Sequence, residues 1–470
     1  MTAFDRLSAR ALAAAIRQRQ ISSLEATEAA IAALGRAHEV TNCVLSLEAE
    51  EALAAAKACD AAVAAGAGVG PLAGVPLAHK DMFDRRGKVA SWGARIRASS
   101  PAAEDATVIA RCKAAGALQI AALHLTEFAF GPTGHNYVLG HARNPWDPTR
   151  ITGGSSAGTA AAVAWGAIPA GLGSDTGGSL RLPAAACGVC SIKPTWGRVS
   201  RAGAMPLAPS LDTIGVIARH IEDLALMLGL LAGPDSRDPA ASQVPVPDYL
   251  QRLDAPIQGL RLGIDAALIG QAHGDVQGML DEVVAILAQQ GLLPGACRFP
   301  DWHTLDHLVQ LTQMPDCAAV HAAYLSARPD DYGPQVRARL ELGHFIPAVD
   351  HLTALRARGR YLEQTLANTF KDIDIAILPI FADPLPSIAE LDIGGGPTLQ
   401  AAMGRVVKYT RPINYLGLPT LALPVPRHGG LPNGIQLIGR PYAEAQLLAV
   451  GQAYQREVPA ELARPARVPA

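Results

Sequence analysis

The chain has 470 residues, 49% of them hydrophobic and 17% charged, with a formal net charge of −2. That balance describes a compact globular protein and excludes a disordered one. It offers no long-range field for nucleic acid or an anionic membrane, and no block of like charge marks a polyanionic partner.

The first 60 residues read as helical. MTAFDRLSARALAAAIRQRQ is an amphipathic charged segment without the apolar run or cleavage site of a signal peptide, so a cytoplasmic protein is expected. Ser22 and Glu25 form a capping box, and Leu24, Ile31 and Leu34 follow at helical spacing before Gly35, where the helix is expected to stop. Residues 61–70, rich in Ala and Gly, form a connector. Strands and helices then alternate. Asp105 is expected to cap a helix that Gly116 ends, and 117–123 reads as a buried strand. A helix at 158–165 leads to a strand at 167–173. The run from Ala157 to Gly173 is broken by Gly166, Pro169 and Gly171 and is too short for a membrane span. Further helices are expected at about 220–232 and 275–290. Further strands are expected at 261–265, 375–380, 420–425 and 434–440. The alternation argues for a layered α/β fold whose sheet is largely parallel and covered on both faces. Residues 233–257, rich in Pro, Asp and Ala, read as a surface excursion rather than a linker. One domain over 1–470 is expected, with a helical segment (1–65) packed on a catalytic core (70–225).

Three glycine-bearing stretches carry the chemistry: PLAGVPLAHKD (71–81), ITGGSSAGTAAAVA (151–164) and GLGSDTGGSLRLPAAACG (171–188). Two glycines before Ser179 allow a tight turn whose backbone N–H groups point one way and can stabilise an oxyanion. A strand-to-loop turn with a capping serine fits the same residues. Ser155 lies where serines commonly cap helices. No phosphate-loop pattern or S-x-x-K occurs, and Gly-Gly-Ser-Leu-Arg around Ser179 is not a G-x-S-x-G elbow. Lys80 is one of seven lysines against 33 arginines and follows the apolar Val75–Ala78. Desolvation would lower its pKa and let it accept a proton, which arginine cannot do. An ion pair with Asp81 or Asp84 at the surface is the alternative. Asp175 and Arg181 flank the Ser179 turn with opposite charges and are expected to brace it. Cys187 and Cys190 read as buried thiols, since a structural zinc would need a second pair. His303 and His307, four apart around Asp306, lack an evident third metal ligand.

Taken together the three stretches closely resemble the amidase signature family. TEFAFGPTGHN (126–136), RNPWDPTR (143–150), CGVCSIKPTWGRVSRAG (187–203) and SLDTIGVIA (210–218) fit as well. The resemblance implies the amidase signature fold, a layered α/β/α sandwich with a large mixed, mostly parallel sheet. It implies a Ser–Ser–Lys triad: Lys80 as base, Ser155 as a relay held by a cis peptide bond, and Ser179 as the nucleophile that forms an acyl-enzyme. The N–H groups of Thr176, Gly177, Gly178 and Ser179 would form the oxyanion hole. His79 and His135 would lie near the site. Two departures from the family pattern, Ala157 for Gly and Met82 for Asn, bear on substrate shape.

The expected function is a cofactor-independent and metal-free serine hydrolase of amides, with anilides, carbamates, ureido acids and esters as related substrates. The expected partners are a small-molecule amide-like substrate, no nucleic acid, no membrane and a possible homodimer. Few polar residues at 128–137, 300–345 and 395–415 suggest an apolar or neutral pocket. The alternative is the glutaminase A-type subunit of a tRNA-dependent amidotransferase complex. Such a subunit would need charged groups to hold the amino-acid end of glutamine.

Overall fold

A computed structural model describes residues 7–96, 100–394, 396–426, 430–459 and 465. The first six residues of the expected N-terminal helix lie outside them. Helix α1 spans Ala9–Arg17. Its free N–H groups are well supplied: Ser8 Oγ accepts from Ala11, and Asp223 accepts from Ala9 and Arg10. Helix α2 (Ser23–Thr41) opens with the Ser22/Glu25 capping box. It runs through Gly35 and ends at Asn42, which takes the left-handed conformation (φ 53°). A lone glycine costs a helix only about 1 kcal/mol relative to alanine. The buried face of Ala26, Ala30, Ala33, Leu34 and Ala37 outweighs that.

Helix α3 (Ala49–Ala64) and helix α4 (Thr107–Ala114) follow. Asp105 does not cap α4. It lies one residue before the capping position, Ala106, and instead accepts from Arg86 N–H and Lys113 Nζ. Helix α5 is Ala157–Trp165, helix α6 is Arg181–Cys187 and helix α7 is Ile221–Leu231.

Eleven strands are described: β1 Val44–Leu47, β2 Pro76–Lys80, β3 Leu118–Leu123, β4 Ala170–Asp175, β5 Cys190–Lys193, β6 Thr213–Ala218, β7 Arg261–Ile264, β8 Leu293–Ala296, β9 Ile375–Pro379, β10 Thr420–Val425 and β11 Asn433–Gly439. They form two sheets. The smaller has the order β1-β3-β2, and the larger β4-β6-β5-β10-β11-β9-β7-β8. The large sheet is mixed. Its β7–β8 and β7–β9 pairs are parallel, while the pairs from β4 to β9 are antiparallel. The antiparallel share exceeds what strand–helix alternation suggests, because β5–β6 and β10–β11 are joined without an intervening helix. Strands β4, β6, β9, β10 and β11 are buried along their whole length, which explains the near-continuous apolar runs of β9 and β10.

The two sheets meet at β2 and β4. The Leu172 N–H donates to His79 Nδ1 at 3.1 Å. A Cβ at Gly171 would stand 2.6 Å from the Ala78 carbonyl oxygen, so only glycine allows this approach. Lys80 ends β2, and the Ser179 turn leaves β4 for α6.

Candidate active site

Lys80 is 1% exposed. Its Nζ donates to Ser155 Oγ at 2.7 Å and to Ser174 Oγ at 2.8 Å. The surface ion pair that the sequence leaves open does not form, since Asp81 engages Ser91 and Arg85 instead. Burial pulls the Lys80 pKa down to about 7, against the opposing pull of Asp212 and Asp175. Ser155 precedes α5, and the Gly154–Ser155 peptide is cis.

Ser179 is brought to the same place through the backbone, where Ser156 N–H donates to the Ser179 carbonyl at 3.3 Å. No Ser155–Ser179 side-chain hydrogen bond occurs among the described residues. Asp175 and Arg181 form a fully buried ion pair, with Nε–Oδ2 at 3.0 Å and Nη2–Oδ1 at 2.9 Å. Burial alone would raise the Asp175 pKa, but Arg181 and its other partners hold it well below the usual carboxylate range. Asp175 also accepts the N–H groups of Gly178 (2.8 Å) and Leu180 (3.1 Å), and Asn414 Nδ2 at 2.7 Å. The Gly178 N–H, one of the four donors expected at the oxyanion hole, is thus engaged by Asp175 in this structure. Gly178 takes φ +131°, and a Cβ there would meet Thr410 Oγ1 at 2.4 Å. Thr176 Oγ1 donates to Asp212 at 2.6 Å, and the Thr410 hydroxyl donates to the Gly177 carbonyl at 2.7 Å. The turn is therefore fixed on both sides.

A cleft opens at Ser179, lined by Thr176, Gly177, Gln313, Arg339 and Arg411 among others. The expected apolar or neutral pocket is thus corrected by two guanidinium groups. Sequence reasoning also missed Ser174 and Asp212. Arg339 was missed too: it shares the helical stripe of Val336, Leu340 and Gly343, whose burial only packing reveals. His79 does not line this cleft, and His135 lines a neighbouring crevice. Ala157 and Met82 do not line the cleft either; Met82 borders a separate cavity that reaches Ser174 and Asp212. His303 borders a roomier cleft of about 580 Å³ with Asp265, Asp301 and Asp306. Among the described residues no helix is long and apolar enough to cross a membrane.

The family model described as Amidase matches residues 25–448. The A subunit of a glutamyl-tRNA(Gln) amidotransferase from Chloroflexus aurantiacus is 36% identical, with 97% of each chain covered. Its counterpart from Moorella thermoacetica is 36% identical, with 98% of each covered. Among solved structures, one described as a vestigial protein complex revealing the origins of an s-triazine catabolic enzyme is 33% identical. It superposes with a TM-score of 0.90 and covers 96% of this chain and 98% of its own. These relatives overturn the expected partners. Proteins matching nearly the whole chain are named for tRNA and as one component of a larger assembly, so a lone enzyme with a small-molecule substrate and no nucleic acid does not stand.

Proposed function

The chain belongs to the amidase family of C–N hydrolases, and from that premise we propose that it is the amide-cleaving A-type subunit of a tRNA-dependent amidotransferase assembly. The observation that carries the chemistry is a buried Lys80 whose pKa lies near neutrality and whose Nζ touches Ser155. Neutral Lys80 takes the Ser155 proton as Ser155 takes that of Ser179. Ser179 Oγ bonds to the amide carbon, and the N–H groups of Thr176, Gly177 and Ser179 hold the oxyanion. The relay returns the proton to the leaving nitrogen as the C–N bond breaks. Water then attacks the ester, gives a proton to the relay and frees the carboxylic acid and Ser179. The subunit role is supported by the shared name of the relatives.

A second reading, C–N hydrolysis without onward transfer, is favoured by the match to the s-triazine catabolic structure. Intact mass after treatment with a fluorophosphonate tests the shared chemistry. One adduct on the parent and none on Ser179→Ala supports it, and an adduct that persists on the variant refutes it. Ammonia release from glutamine, with and without glutamyl-tRNA(Gln), separates the readings. Stimulation by the tRNA in the natively assembled complex supports the first, and indifference to it the second.

A further inference from the structure

Arg339 is 8% exposed, yet no carboxylate ion-pairs with it among the described residues. Its Nη1 donates to the Phe130 carbonyl at 2.9 Å, and its guanidinium lies 3.8 Å from the Phe130 ring centre. Its Nε has no hydrogen-bond partner. A buried charge without a counter-charge is strongly unfavourable unless something compensates it. Here the charge borders the cleft that contains Ser179.

Arg411 brings a second positive charge to the same cleft. Asp306 grips it from the far side, with Nε–Oδ1 and Nη2–Oδ2 both at 2.8 Å. Asp306 lines the roomier cleft and not that of Ser179. Among the described residues no Asp or Glu lines the Ser179 cleft. Glu127 borders the adjoining crevice with Arg339, where both its oxygens accept the Gly333 N–H.

We propose that the Ser179 cleft selects an amide whose acyl part carries a carboxylate and no ammonium group, anchored by Arg339 with Arg411 as a second cation. The proposal rests on the reading of Ser179 as nucleophile and sides with the second reading above, hydrolysis without onward transfer, because a cleft that disfavours an ammonium does not favour glutamine. A carboxylate supplies the charge that Arg339 lacks, and a bidentate guanidinium–carboxylate pair orients the acyl chain. An ammonium on the same chain meets two like charges and no acceptor carboxylate. Glutamine then binds less well than glutaramate, which is glutamine without its amino group. Pentanamide, lacking both charges, binds worst.

The test is the rate at which a fluorophosphonate modifies Ser179, followed by intact mass, with each of the three amides as protectant. Protection requires occupancy and not turnover. Glutaramate is expected to protect at concentrations at least tenfold below glutamine and a hundredfold below pentanamide. Arg339→Gln is expected to shrink the gap between glutaramate and pentanamide tenfold or more. Arg411→Gln reads the same gap should the buried substitution fail to fold. Equal protection by all three amides, protection by none, or strongest protection by glutamine overturns the proposal while Ser179 is still labelled. Absence of labelling on the unprotected parent is a different result: it removes the hydrolase reading, and the substrate proposal with it.

Discussion

Lys80 carries the clearest residue-scale consequence. A base must be neutral to accept a proton, and burial brings this lysine to about pH 7. The pH profile of kcat/KM is therefore expected to rise with a midpoint near 7, measured as ammonia release between pH 5.5 and 9. Lys80→Arg keeps a cation that cannot deprotonate and is expected to lower kcat by about 10³-fold, on the scale of general-base losses. The same shift bears on stability. Between pH 7 and 10.5 the unfolded lysine holds more protons than the folded one. Its burden on stability is full below pH 7 and fades as pH rises through that window. Lys80→Met is expected to raise Tm more at pH 6 than at pH 9. Lys80 stood out because lysines are few and this one follows the apolar Val75–Ala78, but the part expected of it came from the resemblance of the three stretches taken together. Arg339 did not stand out, because a stripe of one arginine among Val336, Leu340 and Gly343 looks like a half-exposed helix until packing buries it.

At the scale of elements, the segment β4–turn–α6 depends on one ion pair. Asp175 and Arg181 are both fully buried, and Arg181 also reaches Gln436 and Asn414. Removing one partner of a buried pair costs about 3–5 kcal/mol because the other charge is stranded. Arg181→Leu is thus expected to lower Tm markedly. It should also abolish fluorophosphonate labelling even below the transition, since Asp175 would no longer hold the Gly178 and Leu180 N–H groups in place. Labelling at the wild-type rate would show the pair to be dispensable for the turn. Element positions were largely legible where apolar runs are long, as at Thr420–Val425. Boundaries at Gly35 and Asp105 were not, because helix caps and stops yield to packing by neighbouring faces. The antiparallel run of the large sheet was hidden for a similar reason: pairing direction is set by connections, and strand composition does not report it.

At the scale of the whole molecule, the net charge of −2 and the tRNA-linked relatives must be reconciled. Binding to a polyanion draws mainly on clustered Lys and Arg neutralising phosphates, and no such cluster is present in this sequence. The chain alone is expected not to retard tRNA in a native gel at physiological salt, whereas its native assembly would. Retardation by the isolated chain would place the nucleic-acid surface here after all. The partners were the part least legible in the sequence, because the motifs report chemistry at a carbonyl and are shared by lone enzymes and by components of assemblies.

The meeting of β2 and β4 has one more consequence. Lys80 belongs to the small sheet and Ser179 follows a strand of the large one. Reactivity therefore depends on two hydrogen-bonded sheets keeping their place across a contact that includes Ala78–His79 and Gly171–Leu172. A slip there would silence Ser179 while leaving every helix and both sheets whole. On slow warming, Ser179 labelling is expected to vanish several degrees before the far-ultraviolet circular dichroism changes. Simultaneous loss of the two would mean that the contact is as strong as the sheets it joins.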